Sequence, residues 1–368
     1  MSLTKLGWNK HFEDCFESFR DSGAIPGRVS LEHRNLYHVL TEQGEVIAEV
    51  TGKLRHNALS RADFPAVGDW VVLQPPPDSG NSIILGILPR ISRFSRKAIL
   101  SGGMPDTGGK TDEQVIGANI DTVFLVNGLD GDFNLRRMER YLAIAWDSGA
   151  SPVVVLNKID MCDDLETVVA DTEAVAIGVP VLTVSAKDRK GLAELRAYLG
   201  EGKTGAFLGS SGVGKSSIIN EIIGEKRLKV GGVREYDNKG KHTTTHRQLI
   251  VLPDGGMVID TPGLRQLAIW SDDEGLEHVF GDIEALSRQC RFSDCRHQSE
   301  PGCAVREALE NGDLDPGRYE SYQKLQKELL HLKRRQNKRE ERLASKQLGQ
   351  KIKQINKDRK QMKKRGLI

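Results

Sequence analysis

The stretch TGAFLGSSGVGKS, Thr204 to Ser216, decides the fold. Its first five residues form a short apolar run of the kind buried in parallel sheets, and the IINEIIG that follows Ser217 has helical spacing. Between them Gly209, Ser210, Ser211, Gly212, Val213, Gly214, Lys215 and Ser216 complete the phosphate-loop pattern, with Ser217 continuing into the helix. The glycines let the backbone curl so that its N–H groups point inward at a β-phosphate, and the helix N-terminus adds partial positive charge. Lys215 supplies a cation for the β/γ oxygens, and Ser216 supplies a hydroxyl for Mg²⁺. The pattern indicates a nucleoside triphosphate without naming its base.

Outward from this loop, IDTVFLVNGL, PVVVLNKID, VPVLTVSAK and MVIDTPG read as further buried strands, each running into a polar or glycine-containing loop. This predicts a doubly wound α/β sheet with its ligand at the carboxyl ends of the strands. Asn157-Lys158-Ile159-Asp160 ends one strand. The Asp160 carboxylate can accept from the N1–H and N2–H₂ edge of guanine, whereas adenine presents no matching donor pair. Lys158 would lie along the ring plane, and Asn157 would tie loops together. Ser185-Ala186-Lys187 offers a backbone N–H to guanine O6, and N-K-x-D disfavours a kinase using the same loop. Asp260-Thr-Pro-Gly263 supplies an acid for Mg²⁺ through water and an N–H that can sense a γ-phosphate.

The intervening LKVGGVREYDNKGKHTTTHRQL predicts a mobile switch, in which Thr243, Thr244 or Thr245 can reach Mg²⁺; Thr244 is favoured. Leu264 follows Gly263, where a water-orienting Gln would be useful. His242 is the best candidate for that task, with His246 as rival. N-K-x-D and S-A-K precede the phosphate loop, the reverse of the common order, and a circular permutation explains this without moving any strand in space.

Residues 31–98 change to short β runs broken by Gly and Pro, implying an OB-type barrel of five strands. It ends in PRISRFSRKA, where Arg90, Arg93, Arg96 and Lys97 flank Phe94; such interleaving can hold phosphates and stack a base, or simply be a charged barrel edge. Residues 1–30 read as an N-terminal extension, 99–117 as a linker, 118–273 as the permuted nucleotide domain and 274–318 as a helical metal-binding domain. Within the last, Cys290-x4-Cys295-x-His297-x5-Cys303 gives three thiolates and one imidazole, a full tetrahedral shell for structural Zn²⁺.

The chain has 53 Lys+Arg against 51 Asp+Glu, but from Lys324 to Ile368 the balance is 17 to 4. A basic helical tail over 319–368 therefore follows an acidic body, and such a tail suits a polyphosphate backbone better than a membrane; a solvated charged helix is the plainer reading. With 38% hydrophobic and 28% charged residues, whole-chain disorder is excluded. No window approaches about eighteen apolar residues, and the N-terminus carries acids where a signal peptide needs an apolar stretch, so a soluble, cytoplasmic protein is expected.

The barrel, the permuted motif order, H-T-T-T and the C-x4-C-x-H-x5-C knot together resemble the ribosome small subunit-dependent GTPase A family (RsgA, also called YjeQ or YloQ) over roughly residues 30–315. The resemblance implies a cytoplasmic GTPase with GTP/GDP, Mg²⁺ and Zn²⁺; separately, a monomer is expected. It implies binding to ribosomal RNA of the small subunit late in maturation, subunit-stimulated hydrolysis and release. His242 inherits the water-positioning role by the same resemblance. A GTP-regulated switch acting on another RNA is the alternative. The extension and the tail depart from the family, so their contacts are not inherited.

Overall fold

Two kinds of strand, alternating and continuously apolar, sort the molecule into a barrel and a layered sheet. The computed structural model describes residues 1–33, 35–58, 60–76, 80–99, 111–131, 133–224, 247–260, 274–330 and 333–334. It divides into Met1–Ser321 and Tyr322–Ile368. In the second unit residues 322–330 are helical, and most of the basic tail lies outside the described residues.

The barrel comprises β1 (Ile25–His33), β2 (Leu36–Thr41), β3 (Gly44–Val50), β4 (Trp70–Gln74) and β5 (Ser82–Ile87), with the short helix α2 (Gly52–Asn57) after β3. Their order is β1-β2-β3-β5-β4, and β4 pairs back onto β1 through Ile25↔Leu73, closing the ring. In β2 the period-two pattern turns Tyr37, Val39 and Thr41 inward, where the two apolar ones meet Val29, Ala48, Val71, Leu73 and Ile84.

The first strand begins inside the 1–30 stretch that the sequence reads as an extension. Pro26, Gly27 and Arg28 disguise it. Gly27 is required sterically, since an added Cβ would stand 2.6 Å from Val39 Cγ1 and 2.8 Å from Leu73 Cδ1. Arg28 is 1% exposed, and its guanidinium donates to the carbonyls of Leu6 at 2.5 Å, Gly68 at 3.2 Å and Asn119 at 2.8 Å. Burial lowers its pKa to about 10. The residues ahead of β1 pack closely too: Asn9 caps α1 (Lys10–Phe16), Phe12 and Phe16 are buried, and Trp8 meets Trp70 at 4.7 Å between ring centroids.

A hairpin follows, β6 (Arg93–Ile99) against β7 (Thr111–Ala118), in register Arg93↔Ala118 to Ile99↔Thr111. The sequence predicts a linker over 99–117, but Thr111–Ala118 is a strand; its polar first half finds backbone partners in β6 rather than an apolar core. The base-stacking reading of PRISRFSRKA also fails. Phe94 is buried, and Arg90 bonds Asp69 through two nitrogens at 2.7 Å while also donating to the carbonyls of Ala62 and Phe64.

The nucleotide domain is built from β8 (Thr122–Gly128), α3 (Leu135–Asp147), β9 (Ser151–Asn157), α4 (Leu165–Val175), β10 (Val181–Val184), α5 (Leu192–Ala197), β11 (Thr204–Leu208), α6 (Lys215–Ile223), β12 (Gln248–Val251) and β13 (Met257–Asp260). Strand order is β10-β9-β8-β11-β13-β12. The first five are parallel, and β12 runs antiparallel to β13. β8 and β11 are buried along their whole length, as continuous apolar runs covered on both faces require. Leu31↔Gln248 joins β1 to β12, making barrel and nucleotide sheet one hydrogen-bonded surface.

Beyond it, α7 (Glu274–Ser287), kinked at Phe280, and α8 (Ala304–Asn311) enclose the Cys/His segment. α7 lies so close to α3 that a Cβ on Gly275 would stand 2.5 Å from the Ala143 carbonyl. Arg318 welds the contact: it donates to Glu139 of α3 at 3.0 Å and to both Asp282 oxygens of α7 at 2.9 Å.

Candidate nucleotide site and metal centre

The parallel strands deliver their loops to one end of the sheet. β11 feeds Gly209–Gly214, where Gly209, Gly212 and Gly214 have φ of 159°, 85° and 97°. Only glycine tolerates the second and third of these without strain. Space demands glycine as well: a Cβ on Gly209 would lie 2.3 Å from the Val126 carbonyl, and one on Gly214 would lie 2.2 Å from Asn157 Nδ2. Lys215 opens α6 and donates to the carbonyls of Gly209, at 2.8 Å, and Ser210. Ser216 and Ser217 follow in the first turn of α6. Asp260 ends β13 close enough to feel the Lys215 charge, although burial wins and raises its pKa above the usual carboxylate value.

Asn157 joins three loops. Its Nδ2 donates to the Val213 carbonyl of the phosphate loop at 2.8 Å, and its Oδ1 accepts from the Ala186 N–H at 3.2 Å. Asp160 Oδ1 accepts from the Ser185 hydroxyl at 2.8 Å, and Lys187 stands 3.6 Å from Oδ2. The Ser185 bond leads in holding Asp160 below the usual carboxylate range, with Lys187 adding to it. Asp160 therefore stays an acceptor at neutral pH. Ile159 and Asp160 form a short 3-10 turn entered through Lys158 at φ 66°.

A fourth loop, which carries no motif, completes the arrangement. After β8, the Leu129 N–H donates to the Asn157 carbonyl at 2.9 Å, and Asp130 pairs with the Lys158 ammonium. Sequence reasoning missed Asp130; the only signal was that its strand ends on the same side as the others. His242, Thr244 and Gly263, with His246 and Leu264, lie outside the described residues.

The Cys290, Cys295, His297 and Cys303 ligand atoms all lie within 4.8 Å of one another. Bonds of about 2.3 Å to sulfur in a tetrahedron imply sulfur separations of about 3.8 Å. Cys290 Sγ and Cys303 Sγ are 3.9 Å apart, and His297 Nδ1 lies 3.5 Å and 3.3 Å from them. The donor set and its spacing fit Zn²⁺. Two further features suit it. Ser287 Oγ lies 3.3 Å from His297 Nε2 and donates its own proton to the Ile283 carbonyl, an arrangement that favours hydrogen on Nε2 and leaves Nδ1, the nitrogen beside the sulfurs, available to a metal. Burial would raise the Cys290 thiol, but the Val305 and Ala304 N–H groups at the start of α8 bring it below its ordinary value, toward the thiolate a metal binds; Cys295 goes the other way, pushed up by burial to about 11. His297 at φ 59° and Gly302 at φ 72° supply the reversals that bring the ligands together.

Known proteins resemble this chain in sequence and fold. A family model described as RsgA GTPase matches residues 88–270, and one described as 50S ribosome-binding GTPase matches 204–346, starting at the strand that feeds the glycine loop. The small ribosomal subunit biogenesis GTPase RsgA of Opitutus terrae is 47% identical over 344 residues, spanning 91% of this chain and 92% of that protein. The crystal structure of YjeQ from Thermotoga maritima matches with a TM-score of 0.60 and 31% identity over 83% of this chain and 99% of its own. YloQ, described as a circularly permuted GTPase, matches with a TM-score of 0.57 and 26% identity over 85% and 96%.

Proposed function

The chain belongs to the RsgA GTPase family, and on that premise we propose how its own residues carry out the work of a GTPase of small ribosomal subunit biogenesis. Asp160 reads guanine through N1–H and N2–H₂, the Ala186 N–H meets O6, and Lys158 lies along the ring. Ser185 and Lys187 keep the Asp160 carboxylate ionised and aimed. Ile159 gives the turn its shape. The backbone of Gly209, Ser210, Ser211, Gly212, Val213 and Gly214 wraps the phosphates, Lys215 leaves its carbonyl partners for the β/γ oxygens, and Ser217 caps the cradle. Ser216 and Asp260 would hold Mg²⁺, joined by Thr244; bound there, the ion neutralises charge developing on the phosphate oxygens. Gly263 senses the γ-phosphate, and His242 orients water.

The observation that carries this reading is Asn157, whose single amide ties the guanine-reading loops to the phosphate loop. A base and its phosphates can then be held by one rigid frame. Cys290, Cys295, His297 and Cys303 would hold Zn²⁺ with no position open to water, so that ion acts as a structural fastener. Among the described residues no helix is long and apolar enough to cross a membrane, and we assign the protein to the cytoplasm as a monomer. Ribosomal RNA of the small subunit is the partner, met by the barrel, the metal-binding region and the basic tail.

GTP turnover measured with and without purified small subunits tests the reading. A large stimulation is expected, and equal rates would reject RNA-coupled hydrolysis. Loss of turnover in Ser216→Ala is expected too; an unchanged rate would reject the assigned Mg²⁺ site.

A further inference from the structure

We propose that Asp130 is a positioning residue for guanine recognition: it holds Lys158 along the base and keeps the lysine charge away from Asp160. The inference rests on the assignment of Asp160 to the guanine edge.

Asp130 Oδ2 pairs with Lys158 Nζ, and the two side chains are only 27% and 24% exposed. Both side chains are partly covered, although the contact itself faces solvent, so its importance lies in where it holds the lysine rather than in its strength. Its geometry is set from both sides. Leu129 fixes the loop to the Asn157 carbonyl, next to Lys158. Gly128 lets the carboxylate fold inward, since a Cβ there would stand 2.7 Å from Asp130 Oδ1 and 3.4 Å from Val213 Cα in the phosphate loop. Lys158, at φ 66°, starts from a backbone conformation that few side chains accept.

A lysine whose head is held at a distance presents its methylene stem as an apolar strip, and a purine face can pack on it. The same pairing sorts the charges. Two carboxylates and two ammonium groups surround the motif, and each acid takes one lysine: Asp130 takes Lys158, and Asp160 faces Lys187 at 3.6 Å. Without the Asp130 charge, Lys158 has reason to turn toward Asp160 in its own loop. It would then compete with guanine N1–H and N2–H₂ for that carboxylate, and the base would lose both its packing surface and its acceptor.

GDP titration with a double-mutant cycle tests this. Asp130→Asn should weaken GDP by about tenfold, the scale of one lost charge-assisted bond, and Asp130→Glu should recover part of the loss. In a Lys158→Met background the same Asp130→Asn change should cost less than about twofold, because the partner is gone. In turnover the effect should fall on KM rather than kcat. Equal losses in the two backgrounds, or no loss in the parent protein, would overturn the proposal. Asp160→Asn separates this from failure of the guanine assignment, since an amide donor suits the 2-oxo group of xanthine. If that variant exchanges GDP for xanthosine diphosphate while the cycle shows no coupling, the role of Asp130 alone falls. If no exchange occurs, the guanine assignment falls and the proposal with it.

Discussion

The nucleotide pocket and the Cys/His knot store their geometry differently. Pocket residues come from positions as far apart as Asp130 and Asp260, yet they stand at the ends of strands whose interior is fully buried, with Phe124, Val126, Val155, Phe207 and Val258 in one core. The knot gathers its four ligands from fourteen consecutive residues, and of the four only Cys303 is buried. In the first region the sheet holds the loops whether or not a ligand is present. In the second the chain is too short to bury much apolar surface, and the ligand must supply what packing does not.

Metal removal should expose that difference most. Structural zinc contributes on the order of 10 kcal/mol in small metal domains, so a strong chelator should abolish amide-exchange protection over residues 290–311 while leaving β8, β9 and β11 protected. Unchanged protection in a sample shown to be metal-free would place the knot with the pocket as a packed structure. Gly214→Ala comes next: it places a Cβ against Asn157 at a φ of 97°, and we expect GDP affinity to fall by roughly a hundredfold or more with little change in melting temperature. Near-normal binding would mean that the cradle yields more easily than its packed base implies. Asn157→Ala removes two bonds at once and should cost about 2–2.7 kcal/mol of nucleotide affinity, or roughly thirty- to a hundredfold, measured by the same titration. A small effect would show that the sheet alone aligns the loops. The smallest change should come from Ser287→Ala, which frees His297 Nε2 and should weaken zinc by about tenfold in competition with a chromogenic chelator; no change would mean that the imidazole is oriented by the chain turn alone.

Both candidate regions stand out in the sequence because their residue types sit in short, local patterns. The phosphate loop, N-K-x-D, S-A-K and the cysteine spacing each fit within one turn or one loop. Residues that act through a partner far along the chain were not legible. Asp130 meets Lys158 across a strand and a helix, and Ser287 meets His297 from the end of α7. Two strands escaped for related reasons. β1 carries a buried arginine satisfied by carbonyls from three distant segments, so its composition reads as polar. β7 opens on Thr-Asp-Glu-Gln and becomes a strand only through pairing with β6. Phe94 misled in the other direction, because an aromatic among arginines looks exposed until Arg90 is seen locked to Asp69.

Arg28 also bears on how the protein is made. It is translated well before two of its neighbours, since one of its carbonyl partners belongs to Asn119 and its sulfur neighbour is Met257. Until those residues emerge, the nascent barrel must leave this cation in water or bury it only half satisfied. The barrel's strands can close on one another, yet the full set of partners for the cation inside it is completed only by segments that follow it in the chain.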